Sequence, residues 1–232
     1  MVRVQFAAEG YCIFREAGVM RAVQALKSRF EQDFAGRFNA DAEHNRNLIK
    51  RFGDGMDVAR LFASTELQRL ATDVGIKDPV FCGPVVTHYT SHDLTGNSYG
   101  LPFHQDWPSM ASSANSAIFW LSLSPSGPDT HGLEVVPGGH RDGLLDGTQQ
   151  ANGYVLDRQI FDTSLVLRAE VGEIVVMSPF LPHRTFVNPS FIGWKLSLSR
   201  RVDDLQCPSW LERKFSNAYG TSVDRDLYRR WR

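Results

Sequence analysis

The chain has 232 residues, 42% hydrophobic and 22% charged, with a formal net charge of -1 and three cysteines. That length suffices for one hydrophobic core, and the near-neutral charge excludes an electrostatic case for nucleic acid or an anionic membrane as partner. Cys12, Cys82 and Cys207 are odd in number and lack CxxC spacing, which excludes a disulfide framework or a structural zinc knot of that kind; with no apolar run near the roughly 18 residues of a membrane span and no secretory leader, a cytoplasmic protein is expected.

Taken in chain order, "GYCIF" reads as a lone strand. Val19, Val23, Leu26 and Phe30 in "GVMRAVQALKSRFEQDF" recur at helical spacing, as do Val58, Leu61, Leu67 and Leu70 in "MDVARLFASTELQRLATDVG", so two amphipathic helices are expected. The polar "RFNADAEHNRNLIKRFGDG" between them reads as a loop. From Pro79 the texture changes to short strands separated by Gly, Pro, Ser and Asn: "PVVTHYT", "LPFHQDW", "SAIFWLSLS", "LEVVP", "SLVLRAE", "EIVVMSP", "RTFVN" and "GWKLSLSRR". Eight such runs predict an antiparallel sandwich or barrel, with the helices packed outside one sheet. "LLDGTQQANGY" and "TSHDLTGNSYG" read as loops. After Val202, "PSWLERKFSNAY" and "VDRDLYRRWR" return to helical texture, and "YRRWR" reads as a solvated helix end.

His104 and Asp106 lie two apart in "LPFHQDW". On a strand such residues project from one face, about 7 Å apart at their roots, and an imidazole beside a carboxylate offers two ligands to a divalent metal. His183 in "MSPFLPHRTFVN" is the candidate third. Two histidines and one carboxylate leave three coordination positions open, the facial arrangement of non-haem iron(II) oxygenases. Zinc accepts the same donors, although the HExxH helix of zinc hydrolases is absent. In "GWKLSLSRR", Leu196 and Leu198 share one face while Lys195, Ser197 and Ser199 share the other. If the leucines lie under the helices, Lys195 faces inward and requires an anion; the distal carboxylate of 2-oxoglutarate, with Ser197 as a second donor, would supply it. Thr87 and Tyr89 alternate along "VVTHYT" and are candidates to line the same pocket.

"FHQDW", "GLEVVPGGHRDGLL" and "HRTFVNPS", in that order over roughly Gly10 to Val202, resemble the phytanoyl-CoA dioxygenase family of Fe(II)- and 2-oxoglutarate-dependent oxygenases. The resemblance implies a mainly β chain with a double-stranded β-helix (jelly-roll) core at about 79–202. Helices would flank it at about 1–78 and a helical tail would follow at about 203–232, all in one domain. It places the metal ligands at His104, Asp106 and His183 and implies Fe(II), 2-oxoglutarate and dioxygen as cofactor and cosubstrates, with hydroxylation of a small molecule and release of succinate and carbon dioxide. The family's arginine for 2-oxoglutarate is replaced here: the aligned text is "GWK", so Lys195 stands in its place and Ser197 in that of an accompanying serine. Lysine supplies charge without the bidentate fork. Arg201, on the same face of a regular strand, is the fallback clamp, and Asn115 and Ser116 are further candidates to reach the cosubstrate.

The carboxylate of Asp106 argues against halogenation, since halogenating relatives have a small residue there. His140, in the tight "VPGGH" turn, reads as a turn residue; His44, His88, His92 and His131 read as surface histidines. Nothing marks a CoA-binding site, so the expected partner is a small metabolite, an amino acid derivative or a natural-product intermediate. A zinc enzyme without oxygenase chemistry and a metal-free binding module are the alternatives.

Overall fold

The computed structural model describes residues 2–39, 41–91, 100–110, 113–150 and 153–208. The expected tail helices and the loop text around His92 lie outside these residues.

The N-terminal part is helical: α1 (Val2–Glu9), α2 (Ala17–Asp33), α3 (Ala42–Gly53), α4 (Met56–Phe62) and α5 (Thr65–Asp73), with β1 (Tyr11–Phe14) between the first two. Helix α2 buries the four residues its spacing predicts, Val19, Val23, Leu26 and Phe30. The stretch expected as a loop holds α3. Its Asp41 caps the amides of Glu43 and His44, and Leu48, Ile49 and Phe52 supply a short buried stripe within otherwise polar text. The second expected helix is two helices, α4 and α5, broken at Ala63 and Ser64. No helix among the described residues is long and apolar enough to cross a membrane.

The remaining elements are β2 (Pro79–Phe81), β3 (Val86–Ser91), β4 (His104–Gln105), α6 (Trp107–Met110), β5 (Ala117–Ser122), β6 (Gly132–Val135), β7 (Gly147–Gln150), β8 (Gly153–Leu156), β9 (Leu165–Leu167), β10 (Ile174–Met177), β11 (His183–Phe186) and β12 (Trp194–Asp204). They form two antiparallel sheets. One runs β1-β10-β5-β12-β2, with β3 also on β12; the other runs β7-β8-β4-β11-β6-β9. This is the jelly-roll architecture expected. β1, from the helical part, is the edge strand of the first sheet. The text expected as a loop at "LLDGTQQANGY" contains the paired strands β7 and β8, and the strand expected at "LPFHQDW" shrinks to His104 and Gln105, because Trp107 opens α6.

Alternation divides the first sheet between two cores. Phe119, Leu121, Ile174, Val176, Leu196 and Leu198 pack against the helices, while Ile118, Trp120, Val175 and Met177 meet Leu133, Val135 and Leu167 of the second sheet. Phe30 joins the helices to β12. Its ring, fully buried, lies 5.2 Å from Phe52, 6.4 Å from Phe34 and 5.3 Å from Trp194, centroid to centroid. Phe30→Ala removes one ring from a close-packed set and should cost about 3–5 kcal/mol, measured as a fall in the urea midpoint with little change in slope.

Candidate active site

His104 and His183 are opposite each other on the antiparallel pair β4 and β11. Directly paired residues share a face, and the two ring centroids are 4.1 Å apart. Strand β8 flanks β4 on the other side, pairing His104 with Val155. Beyond Gln105 the chain turns, and the amides of Asp106 and Trp107 both donate to the carbonyl of Pro179, at 3.0 and 3.1 Å. That anchor delivers the Asp106 carboxylate to the histidines. One ligand atom each from His104, Asp106 and His183 lie within 4.8 Å of one another, and all three residues are buried.

The histidines are set up as ligands. Nδ1 of His104 bonds the carbonyl of Pro102 at 2.8 Å and Nδ1 of His183 that of Leu181 at 2.9 Å. A carbonyl can only accept, so each Nδ1 is the donor and Nε2 is the ring atom left to face a metal. Burial and the neighbouring His104 ring push His183 down to about 4, so it is neutral at physiological pH. Burial alone would raise the Asp106 carboxyl, but Arg201 and the two histidines outweigh it and hold it well below the usual carboxylate range. Two imidazoles and an ionised carboxylate fit a divalent ion. Gln105 points away from the centre, as its position predicts: it donates to the carbonyls of Gly143 and Phe180 and accepts from the amide of Leu145.

The cationic strand behaves as its spacing predicts, with Lys195, Ser197, Ser199 and Arg201 buried on the face opposite the leucines. Lys195 is 3% exposed. Its ammonium donates to the carbonyl of Gly132 at 2.9 Å and stands 5.6 Å from the centre of the Trp120 ring. Among the described residues it has no carboxylate partner, and burial pushes it down to about 7. Arg201 reaches instead to Asp106, Nη2 donating to Oδ2 at 2.7 Å.

Four expected cosubstrate contacts lie elsewhere. Thr87 and Tyr89 are paired with Leu198 and Leu196, so they share the helix-facing side. The Thr87 methyl lies against Gly53 of α3, where a Cβ would collide, and the Tyr89 ring packs on Phe38 and Trp194. Asn115 donates to Asp204 Oδ2 and to the carbonyl of Gly75, closing the end of β12, and Ser116 donates to the carbonyl of Ser113. The residue of β3 that does face the centre is His88, paired with Ser197 and lining the same cavity as the triad and Lys195. Burial and Arg201 push it down to about 3. Its signal was the same alternation, read one residue out of step. His140 lies in the short turn Gly139–Asp142, as expected, and packs against Gly10; His131, expected at the surface, is fully buried against the Phe191 ring. Trp107 stacks on Phe180.

The cavity between the triad and Lys195 has a volume of about 40 Å³. A wider groove of about 590 Å³, between Arg141, Asp157 and Phe161, shares no residue with it.

The family model for phytanoyl-CoA dioxygenase matches residues 6–191. No curated protein sequence matches. Among solved structures, the non-heme monooxygenase ThoJ in its apo form is similar over 89% of this chain and 78% of its own, at 12% identity and a TM-score of 0.67. EvdO2 from Micromonospora carbonacea var. aurantiaca, complexed with 2-oxoglutarate, aligns over 90% of this chain and 95% of its own at 18% identity and a TM-score of 0.62. EctD from S. alaskensis, with 2-oxoglutarate and 5-hydroxyectoine, covers 88% and 76% at 15% identity and a TM-score of 0.62. At these identities the likeness is one of fold.

The buried lysine makes a prediction about the metal-free protein. An unfolded lysine keeps its proton to about its ordinary value of 10.5, whereas Lys195 in the fold loses it near 7. Between those values the unfolded chain binds more protons, so wild-type stability rises with pH across that window. Lys195→Met, which removes the buried ammonium, should stabilise the protein by a few kcal/mol below about pH 7, and the gain should shrink towards pH 10. Urea midpoints of both proteins at the two ends of the window check this; an equal difference at both ends would show that Lys195 is charged and satisfied in the fold.

Proposed function

The chain belongs to the phytanoyl-CoA dioxygenase family, and on that premise we propose that it is an Fe(II)- and 2-oxoglutarate-dependent oxygenase that hydroxylates a small molecule. His104, Asp106 and His183 hold the iron. The observation that carries this reading is the pairing, in one cavity, of a buried His-Asp-His set with a buried ammonium that has no carboxylate among the described residues. The first suits a divalent ion with open positions; the second suits the far end of a dianion.

When bound, iron(II) with 2-oxoglutarate supplies the activation of dioxygen, in which the keto acid is oxidised to succinate and carbon dioxide and one oxygen atom passes to the substrate. The chain's own residues do the rest. His104 and His183 turn their Nε2 atoms to the ion because their Nδ1 atoms are committed to carbonyls. Lys195, with the Ser197 hydroxyl beside it on the inner face of β12, receives the distal carboxylate. Trp120, Leu133 and Met177 line the cavity and keep it poor in water, which strengthens each of these charge interactions. Specificity for the substrate belongs to the loops around the opening, and a small metabolite or natural-product intermediate is the class that fits.

Anaerobic addition of iron(II) and then 2-oxoglutarate to metal-free protein should produce the weak visible charge-transfer band of the chelate, absent in His183→Ala; a band that survives in His183→Ala would remove His183 from the ligand set. Lys195→Ala should weaken 2-oxoglutarate binding by roughly ten- to a hundredfold, the worth of a hydrogen bond to a charged group, while iron(II) affinity stays close to wild type. Proton linkage gives an independent check. A carboxylate beside Lys195 raises its pKa above the free value of about 7, so binding takes up a proton at higher pH, and the 2-oxoglutarate Kd should rise with pH above 7 by up to about tenfold per unit. A pH-independent Kd in the wild type would move the distal carboxylate away from Lys195.

A further inference from the structure

We propose that Arg201 is a positioning residue for the metal centre: it occupies Oδ2 of Asp106 and so restricts that carboxylate to a single donor oxygen, Oδ1. The inference rests on the assignment of His104, Asp106 and His183 as ligands and adds a role for a residue outside that set.

The geometry is specific. Arg201 Nη2 donates to Asp106 Oδ2 at 2.7 Å, with the two side chains only 5% and 9% exposed. Nη1 of the same guanidinium donates to Ser199 Oγ at 3.0 Å, so both ends of the planar fork are fixed. Asp106 Oδ1 is left on the other side, 3.6 Å from Nε2 of His104. Arg201 belongs to β12 of the first sheet and Asp106 follows β4 of the second, so the ion pair spans the interior of the barrel. It sets the carboxylate against the histidines from behind, while Asp106 and Trp107 anchor its backbone on Pro179.

Two consequences follow for the ion. A carboxylate that places both oxygens on a metal takes two coordination positions, and one that shares an oxygen with a guanidinium takes one. With two histidines, the second case keeps three of six positions open for a two-point chelate and dioxygen. Arg201 also draws on the charge of Asp106, so the protein holds the ion less tightly than an unpaired carboxylate would and leaves it more receptive to a dianionic cosubstrate. In this proposal Arg201 serves Asp106 and is not the fallback clamp for 2-oxoglutarate.

The test uses Mn(II), which is redox-silent, and needs no turnover. A crystal structure of the Mn(II)-loaded wild-type protein should show Asp106 bound through Oδ1 alone, with Oδ2 still on Arg201. Arg201→Met should bind Mn(II) more tightly by roughly tenfold or more, since a buried positive charge near the ion is lost, should place both Asp106 oxygens on the ion, and should bind 2-oxoglutarate more weakly once loaded. Arg201→Lys should keep Mn(II) affinity near wild type, and with the wild-type structure it carries the test if Arg201→Met does not fold. The proposal is overturned if wild-type Asp106 binds Mn(II) through both oxygens with Arg201 turned away, or if Arg201→Met leaves Mn(II) affinity unchanged while 2-oxoglutarate affinity collapses, which would make Arg201 the cosubstrate clamp. Either result leaves the oxygenase reading standing. A wild-type protein that binds no Mn(II) overturns both.

Discussion

Strand β12 carries two demands on one stretch of backbone, and the two-residue period of an extended chain reconciles them. Trp194, Leu196 and Leu198 seal the helical layer onto the first sheet, while Lys195, Ser197, Ser199 and Arg201 line the interior. The helices contribute no ligand to the centre, yet they are needed for it, because only the burial of the leucine face obliges the lysine face to turn inward. A one-residue slip of β12 against β5 would exchange the faces and put two cations under the helices. Pairing on three neighbours, β2, β3 and β5, opposes such a slip.

The interior that results holds more cationic than anionic capacity. Asp106 and Arg201 neutralise each other, burial and neighbouring cationic groups push His88 and His183 down, and Lys195 has a carbonyl and an aromatic face but no carboxylate among the described residues. A divalent cation entering alone meets a carboxylate already paired with Arg201 and no further anion among the described residues of the cavity. A dianion entering alone meets Lys195 but no chelating centre. Together their charges cancel, and the low local dielectric that penalises either one alone rewards the pair. The electrostatics therefore favour joint occupancy, which is the order a two-component oxygenase requires.

Much of the chain could be read without coordinates because its periodicities are long or its chemistry is rare. Helix α2 has four matched apolar positions, and the eight strand-like runs from Pro79 are bounded by turn residues. Where the reading slipped, the signal was short or shared. Helix α3 offers a narrow stripe amid Asn, Asp, His and Arg, and polar text of that kind is common to loops and solvated helices. Strand β7 is polar and mostly exposed, and β8 is four residues long with a single fully buried side chain, Leu156, so neither shows an alternation long enough to mark it. On β3 every residue from Val86 to Thr90 is compatible with a strand, and only pairing with β12 shows that His88 points inward and that Thr87 and Tyr89 point to the helices.

The sequence by itself determined which residues are candidates for the chemistry: the spacing of His104 and Asp106, the later His183 and the alternation of "GWKLSLSRR" are covalent facts that hold in any jelly-roll arrangement. Only the tertiary structure decided what those residues do to one another. That His104 faces His183, that Asp106 is held from behind by Arg201, and that Asn115 serves the end of β12 and not the cavity depend on strand register and on side chains meeting across two sheets. Residues 95 positions apart have no local interaction to record their meeting in the sequence; the free energy that brings them together comes from burying the apolar faces of both sheets, which is a property of the whole fold.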